Sequence, residues 1–122
     1  MTREALFAYI DSTYNVQPEY PWATLPEAAV FRHGDNQKWF ALVMGIPRKY
    51  AYGEPGPEVA AVNLKCDPIL QQMMQGEPGI LPAYHMNKTH WVTALLDGSA
   101  DGERIIFLLH ESFELTKAKR KK

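Results

Sequence analysis

The chain opens with apolar residues at helical spacing. Leu6, Ile10 and Tyr14 share one face, with Phe7 and Tyr9 beside them, and Thr2 stands where a capping hydroxyl belongs. This predicts a helix from about Thr2 to Tyr14. Residues 15–27 contain three prolines and no periodicity, so they read as a loop, pinned to the core by Tyr20 and Trp22. Residues 28–33 and 38–46 read as two strands joined by turn residues Gly34, Asp35 and Asn36. The second strand is apolar on both faces from Trp39 to Met44, the pattern of a strand covered on both sides.

Residues 47–57 hold three prolines and two glycines, which predicts a long exposed loop with no helix or strand. A third strand is expected over 58–65. There Val62 and Leu64 alternate with Asn63 and Lys65, giving one buried and one polar face. Asp67 and Pro68 are capping and first-turn residues for a second helix. Ile69, Leu70, Met73 and Met74 form its apolar stripe, and Gly76 ends it. Residues 77–90 read as an irregular connection, and 91–96 as a fourth strand closed by Asp97 and Gly98. Asp101 caps a last helix whose inner side carries Ile105, Leu108, Leu109, Ser112 and Thr116, with Phe113 beside them.

The pattern is α+β: three helices packed on one face of an antiparallel sheet of about four strands. Its 122 residues suit one domain, able to bury roughly two-thirds of the unfolded surface without staples. The longest apolar runs are about six residues, far short of the ~20 a membrane helix needs, and no signal segment opens the chain. A cytoplasmic protein without membrane contact is expected. Cys66 is the one cysteine, which excludes an internal disulfide and any multi-cysteine metal site.

Net charge is −1, but the charge is unevenly placed. Residues 1–116 hold 8 basic against 14 acidic residues, a balance of −6, and residues 117–122 add +5. The expected organisation is a domain over 1–116 and a basic tail over 117–122. The tail residues Lys117, Lys119 and Arg120 are candidates for phosphate contact, or complement the dipole of the last helix.

Three further groups carry candidate chemistry. Tyr84, His85, Asn87, Lys88, His90 and Trp91 crowd into a loop–strand junction, where donors, a cation and flat rings suit nucleic acid. The same residues also suit structural work, with Trp91 in the core and Asn87 in a turn. Arg48, Lys49, Tyr50 and Tyr52 give the 47–57 loop a similar cationic and aromatic character. Cys66 precedes a helix N-terminus, where a thiol pKa falls, so it is either a nucleophile served by His85 or His90 or a small buried hydrophobe. Lys65 is an anion contact or simply solvated. No phosphate-loop, dinucleotide or serine-hydrolase signature occurs. His110-Glu111 resembles the start of a zinc-protease motif, but Glu114 stands where the second histidine belongs. No metal site and no cofactor is expected.

The Val62–Pro68 stretch, the series Pro82, Tyr84, His85, Met86, Asn87, Lys88, His90 and Trp91, and the close at Leu96-Asp97-Gly98 resemble the MmcQ/YjbR family of small bacterial proteins. Ser112-Phe113-Glu114-Leu115 in the last helix fits too. The resemblance implies a curved antiparallel sheet with helices, a double-wing fold grouped with secretion-chaperone-like folds. The family motif falls on Asn63, Lys65, Pro82, His85, Asn87, Lys88, His90 and Trp91. The resemblance brings no catalytic residues. It implies DNA binding by analogy from shape, here through Arg48, Lys49 and Tyr50 on a wing, Lys65, Asn87, Lys88, His90 and Trp91 beside the sheet, and the tail. The alternatives are a protein- or peptide-binding module, working as a monomer or weak homodimer, and an enzyme using Cys66, His85 and His90.

Overall fold

The computed structural model describes residues 1–118. The elements are α1 (Arg3–Tyr14), β1 (Ala29–Arg32), β2 (Trp39–Ile46), α2 (Arg48–Tyr52), β3 (Val59–Lys65), α3 (Pro68–Met73), β4 (Ile80–Pro82), β5 (Trp91–Leu95) and α4 (Gly102–Thr116). The strands form one antiparallel sheet in the order β1-β2-β3-β5-β4. The fold is α+β, as the pattern predicts. Among the described residues no helix is long and apolar enough to cross a membrane.

The helix ends follow their capping chemistry. Thr2 accepts from the Ala5 N–H, Asp67 from Leu70 and Asp101 from Glu103. The buried face of α4 is the expected set, Ile105, Leu108, Leu109, Ser112 and Thr116. It packs with Leu6 and Ile10 of α1 on Phe31, Val43, Val62, Leu64, Val92 and Ala94.

Five expectations are corrected. Residues 48–52 are a helical turn, because the breakers bracket it: Pro47 is its N-cap, and Gly53 closes it at φ 73°. Residues 77–90 contain β4, an edge strand, where Pro82 lacks an N–H without breaking a central ladder. Asn63 is 1% exposed, so β3 has two buried faces rather than a polar one. The α3 stripe divides: Leu70 and Met74 are buried, but Ile69 and Met73 are 74% and 67% exposed, since six residues present only a narrow inner face. Tyr20 is 52% exposed; the 15–27 loop is instead held by the Glu19–Val30 bridge and by Trp22 against Trp39.

A β-bulge joins α4 to the sheet. Phe31 pairs with Ala41 and Arg32 with Trp39, which leaves Phe40 as the extra residue. Its ring lies among Tyr14, Phe31, His33 and Phe113, with centroids 5.0–6.3 Å away. Ala41 pairs with Leu64, so Lys65 and Phe40 would form the next rung of the β2–β3 ladder. The Ser112 hydroxyl stands in that rung: it accepts the Lys65 N–H at 2.9 Å and donates to the Phe40 carbonyl at 2.5 Å. One turn on, the Thr116 hydroxyl donates to the Ser112 carbonyl and takes the Nε2–H of buried His33, each at 2.8 Å. Burial pushes the His33 pKa down and keeps the ring neutral.

Ser112→Ala should therefore destabilise the chain by about 2 kcal/mol, the scale of stranded backbone partners. Urea unfolding checks this: an unchanged midpoint would remove the hydroxyl bridge from the account.

Candidate functional site

The sheet face away from α1 and α4 is also apolar, and among the described residues no long helix covers it. The register puts Val30, Leu42, Asn63, Thr93 and Leu81 in one row across all five strands. Around that row Ile46, Val59, Ala61 and Leu95 form a second core with Met44, Ala51, Leu81 and Tyr84. The cover is thus α2 and the 83–90 loop over one half and the 20–28 loop over the other.

A loop laid on an apolar surface brings peptide groups that need partners. Asn63 and Thr93 supply them. The Thr93 hydroxyl accepts the Tyr84 N–H at 2.9 Å and donates to Asn63 Oδ1. The Asn63 amide donates to the Tyr84 carbonyl at 3.4 Å. Both peptide groups of Tyr84 are satisfied inside the sheet face. Tyr50 of α2 seals the junction: its hydroxyl donates to the Pro82 carbonyl at 2.8 Å and its ring meets Tyr84 edge-on at 4.9 Å.

The far end of the loop is fixed as well. Asn87 Oδ1 accepts the N–H groups of Thr89 and His90, and the His90 carbonyl accepts the Cys66 N–H at 2.8 Å. Lys88, exposed over most of its length, donates to the Ala83 carbonyl at 2.9 Å. Between these anchors, His85 adopts φ 59°, the left-handed region that glycine normally fills.

His85 and Met86 form one wall of a cavity of about 410 Å³, with Trp22, Leu25, Ala28, Trp39, Leu42 and Met44 as the rest. The Trp22 and Trp39 rings meet edge to face at 5.7 Å. A second cavity of about 350 Å³ shares Leu25, Ala28 and Met44 with it and continues past Gly45 to Glu27 and Glu58. On this face the concavity follows β2 from Trp39 to Met44, about 15 Å at ~3.3 Å per strand residue, while Gly45 and Glu58 lie at the β2 edge on the side that faces α1 and α4. An aromatic, apolar concavity with a few polar groups at its rim is the ordinary form of a binding site.

The sequence-predicted residues divide between places. Lys65 and Trp91 are cross-strand partners, and His90 and Lys88 lead into Trp91, so these four collect at one end of β3 and β5. Arg48 and Lys49 follow Ile46, which pairs with Val59 at the opposite end of β3, about 20 Å from Lys65. The Arg48 guanidinium donates to the Pro57 carbonyl and lies 5.6 Å from the Tyr52 ring. Lys49 is exposed. Lys117 pairs with Glu114 at 2.9 Å, while Lys119 and Arg120 lie outside the described residues. Trp22, Trp39, Thr93 and Met86 were missed as site residues. Their signal was weak: a threonine in an apolar strand, and two tryptophans that read as core.

Cys66 is buried, an environment that disfavours the thiolate. Burial, helped by the Asp67 charge, pushes its thiol up to about 11, and among the described residues its hydrogen bond to His90 runs through the backbone N–H and carbonyl, not through the ring. His110 is likewise occupied. Its Nε2 meets the Tyr9 hydroxyl at 2.7 Å and its Nδ1 the Tyr14 hydroxyl, so one tyrosine donates and the other accepts. Burial first, then the Tyr9 and Glu114 charges, pushes Tyr14 up to about 12. Among the described residues no three His, Cys, Asp or Glu side chains gather as metal ligands would.

Comparisons with known proteins agree on the family and name no activity. The YjbR family model matches residues 11–115. YyaQ of Bacillus subtilis, an uncharacterised protein, is 37% identical over 118 residues, covering 96% of this chain and 99% of its own. YjbR of Escherichia coli, also uncharacterised, is 38% identical over 55 residues, 44% of this chain and 47% of its own. A crystal structure of a Pseudomonas syringae protein is similar at 42% identity and a TM-score of 0.91, covering 96% of this chain and all of that one. A Deinococcus radiodurans crystal structure is similar at 28% identity and 0.72, covering 99% of this chain and 82% of that one.

Thr93→Val keeps the shape of the strand residue but removes the hydroxyl. It should cost about 2 kcal/mol and release hydrogen-exchange protection first at Tyr84. Protection at Tyr84 equal to the parent's would exclude the anchor. Near neutral pH, iodoacetamide should label Cys66 about 100-fold or more slower in the folded chain than in urea; comparable rates would put a thiolate back in play.

Proposed function

The chain belongs to the YjbR family, and we propose that it is a binding module rather than an enzyme. Its working surface is the groove between Trp22, Trp39 and His85, and its ligand is an extended peptide segment of a protein partner. The observation that carries this reading is His85. A histidine held at φ 59° costs about 1–2 kcal/mol that glycine would not. The chain keeps it on the wall of an aromatic groove, where strain and function tend to coincide. A length of about 15 Å accommodates about four extended residues. Side chains alternating along such a segment would drop into the Trp22–Trp39 lobe.

A second reading, DNA binding, draws support from the collection of Lys65, Lys88, His90 and Trp91 at one strand end, with Arg48, Lys49 and Tyr50 on the α2 wing and the basic tail beyond. It is the weaker reading. Lys88 and Arg48 spend hydrogen bonds on backbone carbonyls, and residues 1–116 carry −6.

Titrating the isotope-labelled chain with a hexapeptide set, one for each central apolar residue, separates the two. Shifts should follow Trp22, Trp39, Met44 and Met86. His85→Gly should weaken binding at least about fivefold while the unfolding midpoint stays equal or rises, since it relieves backbone strain. If no peptide moves the groove, and a short DNA duplex at low salt instead shifts Lys65, Lys88, His90 and Trp91, the DNA reading replaces this one.

A further inference from the structure

A lysine belongs to the same sheet face as the groove. Along β3 the side chains of Val59, Ala61, Asn63 and Lys65 alternate onto the face away from α1 and α4, and along β5 those of Leu95, Thr93 and Trp91 do the same. Lys65 and Trp91 pair directly, so they form the next row beyond Asn63 and Thr93. On β2 that end belongs to Trp39, which lines the aromatic cavity with Leu42. Lys65 therefore stands beside the Trp22–Trp39 lobe. It is half-buried, which shelters its stem and leaves the ammonium at the surface. That ammonium takes part in none of the ion pairs or cation–ring contacts among the described residues. The acid nearest to it in the chain, Asp67, turns its carboxylate to the Leu70 N–H as the cap of α3.

From this placement we infer that the groove selects a peptide with an apolar side chain and, two residues away, an aspartate or glutamate. The inference rests on the peptide-binding reading above and adds its specificity. The spacing follows from the register. Leu42 lies under the apolar lobe and pairs with Asn63; Lys65 is two residues beyond Asn63, about 7 Å along β3 and one strand, about 5 Å, across. Alternate residues of an extended peptide point to one side, also about 7 Å apart. An apolar anchor over Leu42 thus brings the next side chain on that side within reach of the Lys65 ammonium. A carboxylate there completes an ion pair that the folded chain leaves open. A chain-end carboxylate would lie at the level of the peptide backbone, so the side-chain acid is the better match. The balance of −6 over residues 1–116 opposes an acidic ligand at a distance. At about 0.1 M salt, where the Debye length is about 10 Å, that repulsion is largely screened and the contact pair decides.

The test uses fluorescent hexapeptides with one tryptophan anchor and both ends capped. Two residues from the anchor, before or after it, stands glutamate, glutamine or lysine; a fourth peptide has glutamine there and a free C-terminal carboxylate. At about 0.1 M salt, anisotropy should show the glutamate peptide about two- to fivefold tighter than the capped glutamine peptide, the range of one exposed ion pair. The ratio should fall toward unity by about 1 M salt. Lys65→Met keeps the stem and should equalise the two peptides with the thermal midpoint unmoved, Lys65→Arg should keep the preference, and Lys65→Glu should turn it toward the lysine peptide. Equal affinities in the parent chain, a preference that survives Lys65→Met, or a gain confined to the free C-terminus overturn the specificity while leaving peptide binding standing. Failure of every peptide to bind counts against the groove itself.

Discussion

A sheet with two apolar faces and long helices for only one of them must hide the second mostly under loops. That constraint organises this protein. Helices bring their backbone hydrogen bonds with them; loops do not, so each peptide group that touches the second face needs a partner from the face itself. Asn63 and Thr93 are that partner. Each sits in an otherwise apolar strand, and together they satisfy both peptide groups of Tyr84. Tyr50 and the second core then have a surface to close against.

The helix-covered face repeats the device in another form. Beside the β1–β2 bulge at Phe40 the β2–β3 ladder ends at Ala41 and Leu64, and the Ser112 hydroxyl fills the next rung. A polar residue on the inner stripe of α4 looks like a defect by periodicity alone. It is instead the link that fixes the helix along the strands, with Thr116 and His33 extending it by one turn. In both places a short polar side chain replaces a missing backbone partner, and the described residues hold no buried side-chain polar atom without one.

How much of this was legible depended on the range of the interaction. Helix caps at Thr2, Asp67 and Asp101 are local, and so is the inner face of α4; they read directly from spacing. The fold class followed from the order of such elements. Asn63 was misread because alternation reports what a side chain is, not what lies above it: polar in an alternating strand means exposed unless a loop returns to cover it. β4 was too short and α2 too tightly bracketed by prolines to leave a period. The groove was least legible, since Trp22, Trp39 and Met86 come from three separate segments that meet only when both loops are down. What did show was the crowded series from Pro82 to Trp91, in which Tyr84, Asn87 and Lys88 make the hydrogen bonds that fasten the loop.

That division of labour explains how His85 can be held in a costly conformation. Strained backbone persists only where its surroundings leave no alternative. Tyr84 is anchored on one side by Asn63 and Thr93, and Asn87 on the other by its turn to Thr89 and His90, whose carbonyl is tied to Cys66 at the end of β3. Only His85 and Met86 span the gap between the two anchors. With both ends fixed to the sheet, the left-handed turn at His85 is the way across, and it carries these two side chains over the tryptophans. Asn63, Thr93 and Asn87 therefore shape the groove without lining it: they set the height and angle of the wall that His85 and Met86 form.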